Sequence, residues 1–240
     1  MSKFRLTGFN LFNRDLASLP DEKLLINTLN AHSFNMVQTD DLFAAALKNS
    51  DVLIPDGISV VWALRLLNGK RIKKIAGADL FFYEMERLNR TGGSCFFLGS
   101  SNPTLNSIAE RAAREYPAVR VGKFSPPYKP AFTEEDNDLM IGSVNEFKPN
   151  VLFVGMTAPK QEKWAYENKS RLITGHICSI GAVFDFYGGT VGRAPAWMIK
   201  AGLEWFYRLI REPSRMWRRY LIGNSKFIWL ILKEKIYHNP

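Results

Sequence analysis

Asp56 is the first residue in this chain whose type and position suggest chemistry. It follows a short β-prone run, Val52-Leu53-Ile54, and stands in Pro55-Asp56-Gly57 just before an apolar, helix-length segment. A carboxylate at the tip of a strand lies on the rim where open α/β sheets place their ligands, and there it could act as a general base. The commoner role of an aspartate before a helix is to cap it. Both readings stand at this point. The segment from about Ile58 to Leu67 is apolar apart from Ser59 and Arg65, which predicts a buried helix.

Three other patterns could touch a phosphate or a metal. Gly99-Ser100-Ser101-Asn102 and Gly155-Met156-Thr157-Ala158 are strand–turn–helix junctions, where backbone N–H groups could meet an anion. Neither is a Walker loop, and there is no GxGxxG. Asp136-Asn137-Asp138 has the D-x-D form of metal-dependent sugar transferases. It sits in the acidic first turn of a helix, and complementarity to the helix dipole is the simpler explanation. Cysteine and histidine spacings give no metal site.

The charge is uneven. Of the net +9, +7 falls in residues 193–240, which also hold Trp197, Trp205, Trp217 and Trp229. Arg208, Arg211, Arg215, Arg218 and Arg219 are interleaved with aromatics, as suits an amphipathic element at a lipid interface. A nucleic-acid surface is the competing reading, but no recognition motif of that class appears.

Apolar runs and amphipathic segments alternate to about residue 190. The strand candidates are Leu24–Thr28, Val52–Ile54, Ser94–Leu98, Val119–Phe124, Asn150–Gly155 and Ile177–Gly181, and a further strand is placed at Lys3–Phe9. The alternation predicts an α/β fold, a Rossmann-like and mainly parallel sheet flanked by helices, with a basic helical C-terminal appendage. The expected division is a catalytic domain over 1–190 and a membrane-associating appendage over 191–240. Cys95 and Cys178 lie in apolar runs and are expected to be buried thiols. The first twenty residues lack a signal-peptide pattern and no apolar run reaches a membrane span, so a cytoplasmic chain is expected.

Taken together and in order, these stretches resemble the bacterial glycosyltransferases of the WecG/TagA/CpsF type. The resemblance is carried by Thr28-Leu29-Asn30, Pro55-Asp56-Gly57, Ala76-Gly77-Ala78-Asp79-Leu80, Phe97-Leu98-Gly99, Pro126-Pro127-Tyr128 and Ala158-Pro159-Lys160-Gln161-Glu162. It continues through Gly181-Ala182-Val183-Phe184-Asp185-Phe186, Arg193-Ala194-Pro195, and Gly202-Leu203-Glu204-Trp205 by way of Glu212-Pro213 to Tyr220. It spans roughly residues 23–222.

The resemblance implies an inverting, metal-independent transfer of a hexosyl group, N-acetylmannosamine or a related sugar, from a UDP-sugar. The implied acceptor is a polyprenyl-diphosphate-linked sugar, usually N-acetylglucosamine, in the making of a cell-surface polysaccharide. By that resemblance Asp56 is the general base, and Thr28 and Asn30 lie beside the donor sugar and the reacting centre. Tyr128 and Asp185 hold the uracil and ribose end, and Gln161 sits by the nucleotide sugar. Arg208, Arg215 and Arg218 steady the diphosphate. Lys74 stands where many members have arginine, which keeps the charge and loses the bidentate fork. No cofactor, metal or nucleic acid is implied. The expected location is the inner face of the cell membrane, and a homo-oligomer stays open. The alternative is a binding module for nucleotide sugar or lipid diphosphate that has no catalysis.

Overall fold

A computed structural model describes residues 3–192, 194–195, 197–198 and 202–238, without the side chains of Glu204, Arg208, Arg215 and His238. Six strands form one parallel sheet: β1 (Leu24–Leu29), β2 (Val52–Pro55), β3 (Ser94–Gly99), β4 (Arg120–Phe124), β5 (Val151–Gly155) and β6 (His176–Ser179). Their order is β2-β1-β6-β5-β3-β4. All but the edge strand β4 are buried along their whole length, which explains their continuous apolar runs.

Helices cover both faces. They are α1 (Ala31–Val37), α2 (Asp41–Lys48), α3 (Ile58–Asn68), α4 (Gly77–Thr91), α5 (Asn102–Glu115), α6 (Glu134–Phe147), α7 (Lys160–Asn168) and α8 (Gly181–Tyr187). Alternate strand residues feed opposite layers. Cys95 and Phe97 pack with α4, α5 and α8, whereas Phe96 and Leu98 pack with α6 and α7. Local chemistry starts these helices. Asn30, Asp40, Ser101 and Thr133 each accept a backbone N–H at a helix N-terminus, and α3 and α4 end on left-handed Gly69 and Gly92.

The C-terminal segment forms α9 (Glu204–Arg211), α10 (Pro213–Trp217), a π-helical turn (Arg218–Ile222) and α11 (Gly223–His238). Helix α11 is anchored to the body. Phe227, Leu230 and Ile231 join Phe34, Val60 and Leu64 in one cluster, and Phe227 meets Phe34 edge-on at 5.6 Å. At about 1.5–3 kcal/mol per buried large apolar side chain, these three contribute several kcal/mol. Asn35 Nδ2 donates to Gly223 O at 2.6 Å. Buried Glu234 accepts from Leu6 N at 2.7 Å and Thr7 N at 3.1 Å. Among the described residues, no helix is long and apolar enough to cross a membrane.

Several expectations need correction. Lys3–Phe9 is not a strand: it holds a short 3₁₀ turn, Leu6–Gly8, whose Leu6 and Phe9 pack into the cluster shared with α3 and α11. Just beyond it, Phe12 N donates to Leu53 O in the edge strand β2 at 2.8 Å. Helix α3 is not buried all round. Val60, Ala63 and Leu64 face inward, but Trp62 and Leu66 are exposed. Helices α1 and α8 were not expected, because each has only seven residues and follows directly on a strand.

Candidate active site

A cavity of about 400 Å³ opens at the C-terminal ends of β1, β2, β5 and β6. The chain leaves β1 for β2 on one side and returns through β6 on the other, so β1 and β6 flank the switch point where open α/β sheets bind ligands. Thr28, Asn30, Asp56, Lys74, Gln161 and Asp185, far apart in sequence, all line it.

Asp56 does not hold the N-cap position of α3. Gly57 takes that position at φ 129°, a conformation open to glycine. The Asp56 backbone N–H is pinned to Leu29 O at 2.9 Å, so the carboxylate is carried on the joined ends of β1 and β2. Asn30 is a cap: its Oδ1 accepts from Ser33 N at 3.0 Å and Ser33 Oγ at 3.2 Å. Thr28 is almost wholly buried in β1, opposite Ile54 in β2.

Gln161 joins two walls of the cavity. Its Oε1 accepts from Met156 N at 3.3 Å and Gly181 N at 3.2 Å, clipping the β5–α7 turn to the β6–α8 turn. A Cβ on Gly181 would come within 2.4 Å of that oxygen, which accounts for the glycine. Gln161 Nε2 donates to Glu162 Oε1 at 2.9 Å. Glu162 is buried, and burial pushes its carboxyl up to about 7, against the opposing pull of the Gln161 hydrogen bond. Glu162 Oε2 and Ser179 Oγ, both on cavity-lining residues, are buried without a hydrogen-bond partner among the described residues.

The two glycine junctions also meet here. Ser100 N donates to Gly155 O at 3.0 Å, and a Cβ on Gly99 would stand 2.3 Å from that oxygen. The D-x-D segment is absorbed by structure. Asp136 completes the capping box of α6 by accepting from Thr133 N and pairs with Lys129, Asp138 pairs with Arg171, and Asn137 Oδ1 accepts from Trp164 Nε1 at 2.9 Å.

The structure leaves two sequence-designated residues outside the cavity lining. Tyr128 is fully exposed on the proline-rich loop, and Arg218 is exposed with its guanidinium over the Trp217 ring at 5.2 Å. The side chains of Arg208 and Arg215 lie outside the described residues. The C-terminal segment instead sends Trp205, Met216, Arg219 and Tyr220 to the cavity wall. His32 also lines it. Burial, then the Arg219 charge, lowers its imidazole to about 4, so it is neutral at pH 7. Sequence reasoning missed His32, Glu162, Ser179 and Arg219 as cavity residues. Only Arg219 had a signal, its place in the basic helical series, and the helical phase selecting it over Arg218 is not legible in composition.

A parallel α/β sheet with a carboxylate and cationic side chains around one cleft on its C-terminal rim defines an α/β enzyme with its ligand site at the sheet's switch point. The particular family follows from comparison. The model of the Glycosyl transferase WecG/TagA/CpsF family matches residues 7–240, and the chain belongs to that family. It is similar to an N-acetylglucosaminyldiphosphoundecaprenol N-acetyl-beta-D-mannosaminyltransferase of Bacillus subtilis (strain 168), with 31% identity over 218 residues, 90% of this chain and 82% of the relative. A protein of the same name from Bacillus spizizenii (strain W23) is 28% identical over 193 residues, 80% of this chain and 72% of the relative. The chain is a glycosyltransferase.

Proposed function

We propose that this enzyme moves an N-acetylmannosaminyl or related hexosyl group from a UDP-sugar to N-acetylglucosamine on a polyprenyl diphosphate, in the making of a cell-surface polysaccharide. The transfer inverts the anomeric centre and uses no metal. Asp56 is the base. The observation that carries this reading is that Asp56 lines the same cavity as Thr28, Asn30, Lys74, Gln161, Asp185 and Arg219. The relatives' printed names supply the sugar and the acceptor.

The chemistry runs as follows. Asp56 takes the proton of the acceptor hydroxyl as that oxygen attacks the anomeric carbon from the face opposite the leaving group. The bond from the anomeric carbon to the diphosphate oxygen breaks, and UDP departs as an anion that needs no acid. Lys74 and Arg219 offset the charge growing on the diphosphate. Arg208, Arg215 and Arg218 add positive potential from the same segment, and Asp185 holds the ribose. Tyr128 is the residue assigned to the uracil by the family resemblance. The body, 1–190, carries the base and the donor contacts, and the appendage adds Arg219 to the same cavity. The appendage, 191–240, lies on the inner face of the membrane, where α11 turns Trp229, Leu232 and Ile236 outward.

The test is UDP release with a short-chain polyprenyl-diphosphate-N-acetylglucosamine acceptor, a panel of UDP-sugars and EDTA present. Acceptor-dependent release with one donor, lost in Asp56→Asn with UDP binding retained, is the expected result. Full turnover in Asp56→Asn would remove it as base. Abolition by EDTA would remove the metal-free mechanism.

A further inference from the structure

The C-terminal segment is not alone in exposing large apolar side chains beside basic ones. Helix α3 leaves Trp62 68% and Leu66 44% exposed, one helical turn apart on the same side. Residues 65–74 contain five basic residues and no acidic one. Arg65, Lys70, Arg71 and Lys73 are exposed, and among the described residues their single ion pair is Lys73 with Asp15 at 3.8 Å. Exposed tryptophan and leucine flanked by uncompensated lysine and arginine match the chemistry of an anionic lipid surface: rings at headgroup depth, cations on phosphates.

This patch adjoins the outward face of α11. Lys235 Nζ donates to Leu66 O at 2.9 Å, which ties the end of α3 to the last turns of α11. Gly202 comes up to Ile58 at the start of α3. Two chain segments, 169 residues apart at the Lys235–Leu66 contact, thus join in one apolar and basic surface. A second copy of the chain fits the patch poorly, because a two-fold contact would set the same uncompensated cations against each other.

We propose that α3 and the basic loop 69–74 form a second bilayer contact, outside the C-terminal appendage, that selects anionic phospholipid and sets the cavity mouth toward the membrane. The inference rests on the lipid-linked acceptor reading above. Asp56 lies two residues before α3, and from Ile58 to Leu66 the helix rises about 12 Å. Contact at Trp62 and Leu66 therefore holds the lip carrying Asp56 at a fixed height above the headgroups.

The experiment is co-sedimentation of the full chain with phosphatidylcholine vesicles, with and without phosphatidylglycerol. The variants are Lys70→Glu/Arg71→Glu, Trp62→Ser/Leu66→Ser, and Trp229→Ser/Ile236→Ser on α11. Circular dichroism confirms folding, and turnover on a water-soluble short-chain acceptor is read in parallel. The charge-reversal variant is expected to lose at least about 25-fold in partition onto anionic vesicles, about fivefold for each basic residue removed. The Trp62/Leu66 variant loses about tenfold. Soluble-acceptor turnover holds in both. Unchanged partition in both α3 variants, with a fall in the α11 variant, would overturn the α3 contact and leave the membrane reading intact. Absence of binding by the unaltered chain to any vesicle would sink the membrane reading itself. A concentration-dependent dimer abolished by Trp62→Ser/Leu66→Ser would assign the patch to a second copy and overturn the proposal.

Discussion

The Gln161 amide and the Glu162 carboxyl form one hydrogen-bonded unit, Nε2 to Oε1 at 2.9 Å, behind the wall shared by β5 and β6. The unit has a pH signature. Burial raises the folded Glu162 carboxyl from 4.5 to about 7. Stability tied to its neutral form is complete below the unfolded value and is lost as pH rises through about 7. Glu162→Gln keeps the shape and removes the ionisation. Urea unfolding should find the variant equal to the parent near pH 4 and more stable by roughly 3 kcal/mol near pH 8. Equal stability at both pH values would show that the group ionises freely.

Arg219, not Arg218, stands at the cavity. If it meets the leaving diphosphate, Arg219→Ala should lower kcat by 10²–10³-fold, the usual loss for one preorganised electrostatic partner. The loss from Arg218→Ala should be smaller. Steady-state kinetics of the two variants on a soluble acceptor decides the order. Equal kcat values would separate Arg219 from the chemistry.

Glu234 fastens α11 to the N-terminal turn through Leu6 N, Thr7 N and Thr7 Oγ1, the last at 2.7 Å. Glu234→Ala leaves the buried Leu6 N–H without its partner, at about 1–3 kcal/mol for that group. Calorimetry should show a fall in Tm, and limited proteolysis should cut first in the N-terminal residues. An unchanged Tm would mean that α11 is held by its apolar contacts alone.

His176 sits at the opposite end of β6 from the cavity, with Nδ1 2.7 Å from Glu84 Oε1 and Nε2 2.9 Å from Pro20 O. Burial alone would lower its imidazole, but the Glu84 hydrogen bond and charge overcome this and raise it. The ion pair therefore contributes fully below pH 6.5, and its contribution is lost as pH rises through the folded value. NMR titration should place His176 above 6.5. In kinetics, His176→Gln should leave kcat intact while the stability gap to the parent narrows from pH 6 to pH 9.

The six strands, the parallel α/β class and the family were readable from the chain, because they rest on local and repeated features. Buried strands are continuous apolar runs, helices carry their caps, and the Thr28, Asp56 and Gln161 segments keep their order. Position at a strand's C-terminal end likewise brought Asp56 into view, and the family resemblance brought Gln161. Sequence could not decide whether Asp56 caps α3. That depended on Gly57 taking a left-handed φ and on the Leu29 O contact across two strands. Nor could it foresee that α3 shows Trp62 to solvent, since an apolar segment reads alike whether one face or all of it is covered. The covering face belongs to α11, which begins 155 residues beyond the end of α3. The choice of Arg219 over Arg218, the pairing of Gln161 with a buried Glu162 and the neutrality of His32 likewise arise from contacts between distant segments. Local periodicity determines which elements form. Only their packing decides which side chain of each element meets the cavity.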